Sequence, residues 1–194
     1  MTALLLAAVL ALTPAPTVEI RGPITAQTAV DAVSALALAA PNPVTVEISS
    51  GGGDFRASSA IAKALWSYPG AVRCHADTAA SGAFWILQAC GERSVEPAAY
   101  LMEHFPYIRV AADTVGTSEW RYEAGTLREI ADLLDASTEE MFGFIGTRSG
   151  IGADGLKAMV SAAPLHMWTV DAVQAGVLNL VDRTETAAEF RSRR

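Results

Sequence analysis

The sequence has little positive charge and almost no lysine. Its 194 residues include 14 Lys and Arg against 21 Asp and Glu, which gives a formal net charge of −7 at pH 7. Only Lys63 and Lys157 are lysines, and the other basic residues are arginines. Proteins that bind nucleic acid usually present a basic face to the phosphates. The charge balance therefore predicts no nucleic-acid partner.

Long apolar runs are also missing. No stretch of about 18 uninterrupted apolar residues occurs, which excludes a multi-span membrane protein. Hydrophobic residues nevertheless make up 51% of the chain, and 37 residues are alanines, so intrinsic disorder is excluded as well. The length fits one globular domain, which we place at residues 17–183.

A short apolar segment opens the chain. Ala3 to Leu12 is a run of ten apolar residues, and the prolines at 14 and 16 stop any helix there. The run is too short to span a bilayer and has the length of the apolar region of a secretory signal. No Lys or Arg precedes it, so a short helix packed on the domain is the alternative. We expect residues 1–16 to be a signal peptide and the protein to be exported, periplasmic or secreted, with a cytoplasmic location as the alternative.

The chain has only two cysteines, Cys74 and Cys90. In an exported protein such a pair is read as a disulfide, whereas a reducing cytoplasm would leave two buried thiols. We predict the disulfide, which would tie the strand entering this segment to the turn leaving it. Neither cysteine has a CxxC partner or clustered histidines, so no metal site is predicted.

Strand and helix patterns alternate from Thr17 onwards. Extended patterns predict strands at residues 18–20, 44–48, 71–76, 93–96, 99–102 and 177–181. Helical spacing predicts helices at residues 25–40, 57–67, 82–89, 118–148 and 171–175. The alternation indicates βαβ units, an α/β fold and a largely parallel sheet. The polar tail, residues 184–194, is expected to fray.

Two loops follow predicted strands, where the site of an open α/β sheet lies. Three consecutive glycines, Gly51, Gly52 and Gly53, let backbone N–H groups approach a ligand oxygen, although a plain flexible turn has the same composition. Ser81 lies where a strand becomes a helix, and the Gly82 N–H lies at the positive end of that helix. Ser81 is therefore either a nucleophile or a structural N-cap.

His104 also lies at a predicted strand end, in the segment Met102-Glu103-His104-Phe105-Pro106. Carboxyl ends of neighbouring parallel strands meet at one edge of a sheet. A serine, an imidazole and a glycine-rich turn at that edge supply the nucleophile, base and oxyanion donors of acyl transfer. The combination favours a serine hydrolase.

Four motifs, in this order and spacing, resemble the proteolytic subunit of Clp-type proteases (ClpP) in the Clp protease/crotonase superfamily. They are Val18-Glu19-Ile20-Arg21-Gly22-Pro23-Ile24, Ile48-Ser49-Ser50-Gly51-Gly52-Gly53, Ala79-Ala80-Ser81-Gly82-Ala83 and Leu101-Met102-Glu103-His104-Phe105-Pro106. The resemblance implies a repeated ββα superhelix whose residues 118–148 form a helical handle. It also implies a serine endopeptidase with Ser81 as nucleophile, His104 as base and the amides of Gly53 and Gly82 as the oxyanion hole.

The resemblance further implies a homo-oligomeric ring, a peptide or unfolded protein as substrate, and no cofactor. An unfoldase partner would follow only for a cytoplasmic protein, since an exported chain has no access to ATP-driven unfolding.

The sequence departs from the resembled pattern at two places. The third member of the family's triad, an Asp, should fall near residues 159–161, where no carboxylate occurs. Asp154 is the nearest acid, and Asp154 or Ser161 could substitute for the missing group. Without an orienting acid a well-studied triad loses about 10⁴ in turnover. The glycine loop also has Gly51 in place of the family's usual proline.

These departures keep other functions open. The first is a catalytically weak or inactive ClpP-like protein that acts as a scaffold or binds peptides, and the second is crotonase-type acyl-CoA chemistry. A Ser–Lys dyad, as in signal peptide peptidase A enzymes, is disfavoured because neither Lys63 nor Lys157 matches the position of that family's lysine. His75 is expected to be a packed residue. His166 is expected to be structural, with a role in the site as the alternative.

Overall fold

The structure is a computed structural model that describes residues 15–107 and 117–193. Its strands are β1 (Thr17–Arg21), β2 (Val44–Ser50), β3 (Val72–Ala80), β4 (Glu92–His104), β5 (Met167–Val170) and β6 (Arg183–Thr184). Its helices are α1 (Ala26–Ala39), α2 (Phe55–Trp66), α3 (Gly82–Gln88), α4 (Thr117–Ser149), α5 (Ala153–Ala162), α6 (Ala172–Val177) and α7 (Ala187–Ser192), with a 3-10 turn at Pro164–His166. The predicted signal peptide, residues 1–16, falls almost wholly outside the described residues.

The strands form one sheet in the order β1-β2-β3-β4-β5, with β6 beside β4. Strands β1 to β4 are parallel, β5 is antiparallel to β4, and β6 is parallel to β4. Helices α1, α2 and α3 are the crossovers between the four parallel strands. The prediction of an α/β fold with a largely parallel sheet is confirmed.

The two faces of the sheet differ in polarity. On one face the in-register neighbours Ile20, Ile48 and Ala76 are buried under the crossover helices. Helix α3 is buried along its whole length, which fits its run of apolar side chains. The opposite face, called the polar face below, carries side chains in matching register on β2, β3 and β4: Thr45, Glu47, Arg73, His75, Glu92 and Ser94.

The disulfide between Cys74 and Cys90 is present. Its two Cα atoms are 6.0 Å apart, and both residues are fully buried. It joins β3, which leads into Ser81, to Cys90, which lies two residues after the end of α3. Arg148, near the end of α4, donates from Nη2 to the carbonyl oxygens of Cys90 and Gly91 at 3.0 Å. The turn that carries Ser81 is thus closed by a covalent bond and tied to α4.

Helix α4 has 33 residues and matches the helical handle expected at residues 118–148. Its second half packs on the core through the buried side chains of Met141, Phe142 and Ile145. Among the described helices none has the length and apolar character needed to cross a bilayer.

The prediction of two short strands separated by Pro97 is wrong, because β4 runs unbroken from Glu92 to His104. The register between β3 and β4 pairs Ala76 with Val95 and Thr78 with Tyr100. The residues between Val95 and Tyr100 therefore bulge opposite one residue of β3. A bulge tolerates proline because its N–H position carries no ladder hydrogen bond.

The end of the chain also corrects two predictions. Residues 177–181 do not form a strand: Val177 ends α6, and the last strand of the described chain is β6 at Arg183–Thr184. The tail does not fray after Asp182, since α7 begins at a capping box between Thr186 and Glu189. Phe190 of α7 is fully buried against the polar face. A single apolar side chain thus anchors a segment whose composition is otherwise polar.

Candidate active site

Ser81 occupies the junction between β3 and α3 in a strained conformation. Its φ is 54° and its ψ is −126°, a region that costs a non-glycine residue about 1–3 kcal/mol. Its backbone N–H donates to the Met102 carbonyl oxygen at 2.8 Å, and its carbonyl accepts from the Phe84 N–H at 2.9 Å. Although Ser81 holds the N-cap position, its side chain makes no capping hydrogen bond. The Ser81 side chain therefore does not act as a structural N-cap, which was the alternative to a nucleophile.

The glycine loop packs directly against the Ser81 turn. Gly52 has a φ of 90°, and a Cβ added there would lie 2.8 Å from the Ser81 Cβ and 2.6 Å from the Ala80 carbonyl oxygen. A Cβ on Gly53 would lie 2.2 Å from the Ile24 carbonyl oxygen. Both positions therefore require glycine, because a side chain at position 52 would collide with the Ser81 turn and one at position 53 would collide with the backbone of Ile24.

Gly82 is also required by close packing. A Cβ on Gly82 would lie 2.1 Å from Ser58 Oγ of α2. Within the described chain, neither the Gly82 N–H nor the Gly53 N–H donates a hydrogen bond. The Gly82 N–H is in the first turn of α3, where backbone donors have no partner within the helix. Both donors remain available to an external acceptor.

His104 is the last residue of β4, next to the Ser81 turn in the sheet. Its Nδ1 lies 2.6 Å from the Phe105 carbonyl oxygen. Its ring lies 5.3 Å from the Tyr107 ring, measured between centroids. Among the described residues, no hydrogen bond joins the His104 ring to Ser81 Oγ or to a carboxylate side chain. The His104 backbone N–H does contact a carboxylate, since it donates to Glu103 Oε1 at 2.9 Å.

Glu103 is a buried acid that the sequence patterns did not single out. Its second oxygen, Oε2, is buried without a hydrogen-bond partner in the described part of the chain. Burial raises the pKa of the Glu103 carboxyl well above its usual range, and the hydrogen bond from His104 lowers it only in part. Its position in β4, between two residues of the motif, was visible in the sequence, but its burial was not.

The residues named as substitutes for the third triad member lie elsewhere. The Asp154 side chain is fully exposed on the first turn of α5, with its Oδ1 3.9 Å from Lys157 Nζ. The Ser161 carbonyl oxygen lies 3.1 Å from His166 Nδ1, so its only described role is as a backbone acceptor for that histidine. The His166 ring lies 6.4 Å from the ring of Phe105, the residue that follows His104.

Ser81, Gly82 and His104 line one cavity of about 990 Å³. The glycine loop forms one side, and α4 supplies a wall that is apolar at Leu133, Leu134 and Met141 and polar at Ser137 and Glu140. The volume is at the upper end of ligand sites, about 300–1,000 Å³. The three sequence motifs therefore meet at one opening, which α4 also lines.

Lys63 of α2 lines the same cavity but is paired. Its Nζ lies 2.7 Å from Glu140 Oε1, which also accepts from Ser59 Oγ at 2.9 Å. Burial raises the pKa of Glu140, but the hydrogen bonds from Lys63 and Ser59 outweigh it and leave the pKa below its usual value. An ammonium held beside an ionised carboxylate is a poor proton acceptor. Lys157 pairs with Glu139. His104 is thus the better candidate base.

His75 does not line this cavity. It is buried on the polar face, with Nδ1 3.0 Å from Ser94 Oγ and its ring stacked on Phe190 at 5.0 Å. No group of three or more His, Cys, Asp or Glu in the described ranges could hold a metal ion.

Comparison with solved structures identifies the fold. The structure of a point mutant of ClpP1 from Listeria monocytogenes matches with a TM-score of 0.73 and 19% identity, over 90% of this chain and 94% of that one. ClpP1 from Listeria monocytogenes without the mutation matches with a TM-score of 0.68 over the same shares, again with 19% identity. The chain has a ClpP-like fold. No protein-family model matches the sequence, and no curated protein sequence does either.

The ClpP-like fold confirms the architecture that the four motifs implied. The match extends over 90% of this chain. At 19% identity the likeness carries the fold alone, so the chemistry has to be argued from the residues of this chain.

Proposed function

We propose that this ClpP-like protein is a serine peptidase with Ser81 as nucleophile and His104 as general base. The observation that carries the proposal is the conformation of Ser81. A serine held at positive φ, at a strand-to-helix turn, with a side chain that caps nothing, is the arrangement of an exposed nucleophile. Because the strained conformation of Ser81 is not compensated by a capping hydrogen bond, it favours a functional role for this serine.

In the proposed reaction, His104 Nε2 accepts the hydroxyl proton of Ser81 as Oγ bonds to the carbonyl carbon of the substrate. The carbonyl oxygen becomes an oxyanion and accepts from the N–H groups of Gly53 and Gly82. The imidazolium then returns the proton to the departing amine, and the C–N bond breaks. A water molecule hydrolyses the remaining ester with His104 again as base.

The substrate class follows from the cavity and the fold. An opening of about 990 Å³ with a wall of Leu133, Leu134 and Met141 suits an apolar side chain of a bound peptide. We propose peptides and unfolded proteins as substrates, which the resemblance to Clp-type proteolytic subunits and the ClpP-like fold support.

Assembly and location are part of the proposal. Val173 and Val177 are exposed on α6, and Leu127 is partly exposed on α4. Exposed apolar side chains on two helices support a homo-oligomer, with rings as in the resembled family. The buried Cys74–Cys90 disulfide supports an exported protein, because such bonds persist in oxidising compartments. A cytoplasmic protein with an unfoldase partner is the alternative.

A second function is favoured by a different observation. Ser81 and His104 share no hydrogen bond, and no carboxylate side chain of the described residues contacts the His104 ring. A ClpP-like protein that binds peptides without cleaving them would have this arrangement. The apolar wall and the unpaired N–H groups would then hold the peptide backbone and side chain.

Labelling with a fluorophosphonate probe separates the two functions, since the probe bonds covalently only to an activated serine. The peptidase is expected to gain one label, which peptide mapping assigns to Ser81. Ser81→Ala should abolish the label. Ser67→Ala, an exposed serine at the end of α2, should retain it. A folded wild-type protein that takes no label would support the binding protein and overturn the peptidase.

A further inference from the structure

His104 has no carboxylate partner for its ring among the described residues, yet the ring is not free to rotate. Its Nδ1 lies 2.6 Å from the backbone carbonyl oxygen of Phe105, which is the contact that a triad carboxylate would normally make. We propose that the Phe105 carbonyl takes the place of the missing carboxylate and orients His104. This inference rests on the proposed peptidase function and makes Phe105 a positioning residue.

The contact fixes the tautomer of the neutral ring. A carbonyl oxygen can only accept, so the hydrogen between the two atoms is on Nδ1. Nε2 then carries the lone pair and is the only ring nitrogen that can accept a proton. A base that receives the Ser81 proton needs this tautomer. The tautomer is therefore specified without a carboxylate partner among the described residues.

Two features hold the Phe105 carbonyl in position: the proline that follows it and the packing of the Phe105 ring. Phe105 precedes Pro106, and a residue before proline is restricted to extended conformations, which limits the directions its carbonyl can take. The Phe105 ring stacks on Phe142 of α4 at 5.2 Å and meets the edge of the His166 ring at 6.4 Å. The orienting group is thus anchored to the handle helix and to the 3-10 turn.

A carbonyl replaces only part of what a carboxylate does. It holds the ring and the tautomer, but as a neutral acceptor it stabilises the imidazolium less than an ion would. We therefore expect a peptidase that is active and slower than one with a complete triad. The acid of a complete triad both orients the histidine ring and stabilises the positive charge of the imidazolium. The Phe105 carbonyl is expected to supply the first role in full and the second only in part.

The tautomer is measured directly by 15N NMR of the full chain labelled at histidine. The spectrum is taken at about pH 8, above the ordinary histidine pKa of about 6.5. The His104 signals are identified by their loss in His104→Gln. The proposal predicts a pyrrole-like Nδ1 and a pyridine-like Nε2. A pyridine-like Nδ1, or equal amounts of the two tautomers, would overturn it.

A backbone ester tests whether the carbonyl matters for turnover. Placing the α-hydroxy analogue of valine at position 106 turns the Phe105 carbonyl into an ester carbonyl, a weaker acceptor. The matched control is Pro106→Val, which has the same side chain and an ordinary amide. Proline has no N–H, so the ester removes no donor of the native chain. We expect the ester to lower kcat about fivefold relative to the control, with KM unchanged.

Equal kcat values for ester and control would overturn the proposal, and so would an ester effect on KM alone. Failure of the peptidase is recognised separately. An unlabelled Ser81 with a pyrrole-like Nδ1 would remove the peptidase function and leave the hydrogen bond in place. A labelled Ser81 with a pyridine-like Nδ1 would keep the peptidase and remove the role of Phe105.

Discussion

The polar face of the sheet and the cavity around Ser81 differ in whether their polar groups are paired within the described chain. On the polar face, Glu47 accepts from Arg191 at 2.6 and 2.8 Å, and His75 lies between Ser94, Glu96 and Phe190. At the cavity, the N–H groups of Gly53 and Gly82 have no described partner and Ser81 is strained. Both regions belong to strands β2, β3 and β4: the polar face is one face of these strands, and the cavity lies at their carboxyl ends.

The difference shows where this fold gives up stability. A buried polar group without a partner costs about 1–3 kcal/mol, so a protein normally pairs it. Helix α7 does this on the polar face, where Arg191 pairs with the buried carboxylate of Glu47. The cavity keeps its unpaired donors, which is expected of a site whose partner is a substrate. The following variants test this contrast, starting with the largest effect.

Two histidines, His104 at the cavity and His75 on the polar face, should respond oppositely to one substitution. His104→Gln is expected to lower peptide turnover at least about 10⁴-fold with little change in melting temperature, because the general base is lost. His75→Gln should keep turnover and lower the melting temperature by about 2–4 °C, since it disturbs a buried contact. Equal effects of the two variants on turnover would break the contrast.

Phe190→Ala should cost about 3–5 kcal/mol of folding free energy, because its fully buried ring holds α7 on the polar face. Denaturant unfolding measures the loss. The control is Arg191→Gln, which removes one partner of the buried Glu47 carboxylate and should cost less than Phe190→Ala because Arg21 Nη2 remains 3.4 Å from Glu47 Oε2. A Phe190→Ala cost below that of Arg191→Gln would show that α7 is held by charge.

Removing the disulfide should cost about 3 kcal/mol, the value expected for a closed loop of about 15 residues. The double variant Cys74→Ala/Cys90→Ala is therefore expected to melt about 6–12 °C below the oxidised wild type. Calorimetry with and without a reducing agent supplies the control, because the reducing agent should not move the variant. An unchanged melting temperature of the variant in oxidising buffer would contradict a stabilising bond.

Glu103 should give the smallest effect, visible as a pH dependence. Burial raises the pKa of its carboxyl in the folded state, so the neutral form favours folding. This stability is fully present below the unfolded pKa of about 4.3 and is lost as the pH rises through the folded value. Glu103→Gln should match the wild type at low pH and be more stable than it at high pH. Parallel stability curves for the two proteins would contradict the assignment.

Local patterns predicted much of the fold. Thr25 caps α1 as expected, accepting from the Thr28 N–H, because capping depends on neighbouring residues. The β-branched run from Val44 predicted β2, and the turn at Ser81 was predicted from its own small residues. The glycine loop and His104 were predicted as part of the site because parallel strands end at one edge.

Features that depend on distant residues were not predictable. Pro97 sits in a bulge whose existence depends on the register of β4 with β3. Helix α7 is anchored by Phe190 against His75, more than a hundred positions away in the chain. The Phe105 carbonyl carries no sequence signal, because every residue has one. A sequence pattern for a catalytic acid considers only acidic side chains. It therefore indicated Asp154, whose side chain is fully exposed.

The most direct test of the account is hydrolysis of an unfolded protein by the wild type and by Ser81→Ala, purified in the same oligomeric state. The account predicts measurable cleavage by the wild type, with the rate of Ser81→Ala lower by at least about 10⁴-fold. The same rate for both proteins, or no cleavage by a wild-type protein that carries its disulfide, would contradict it.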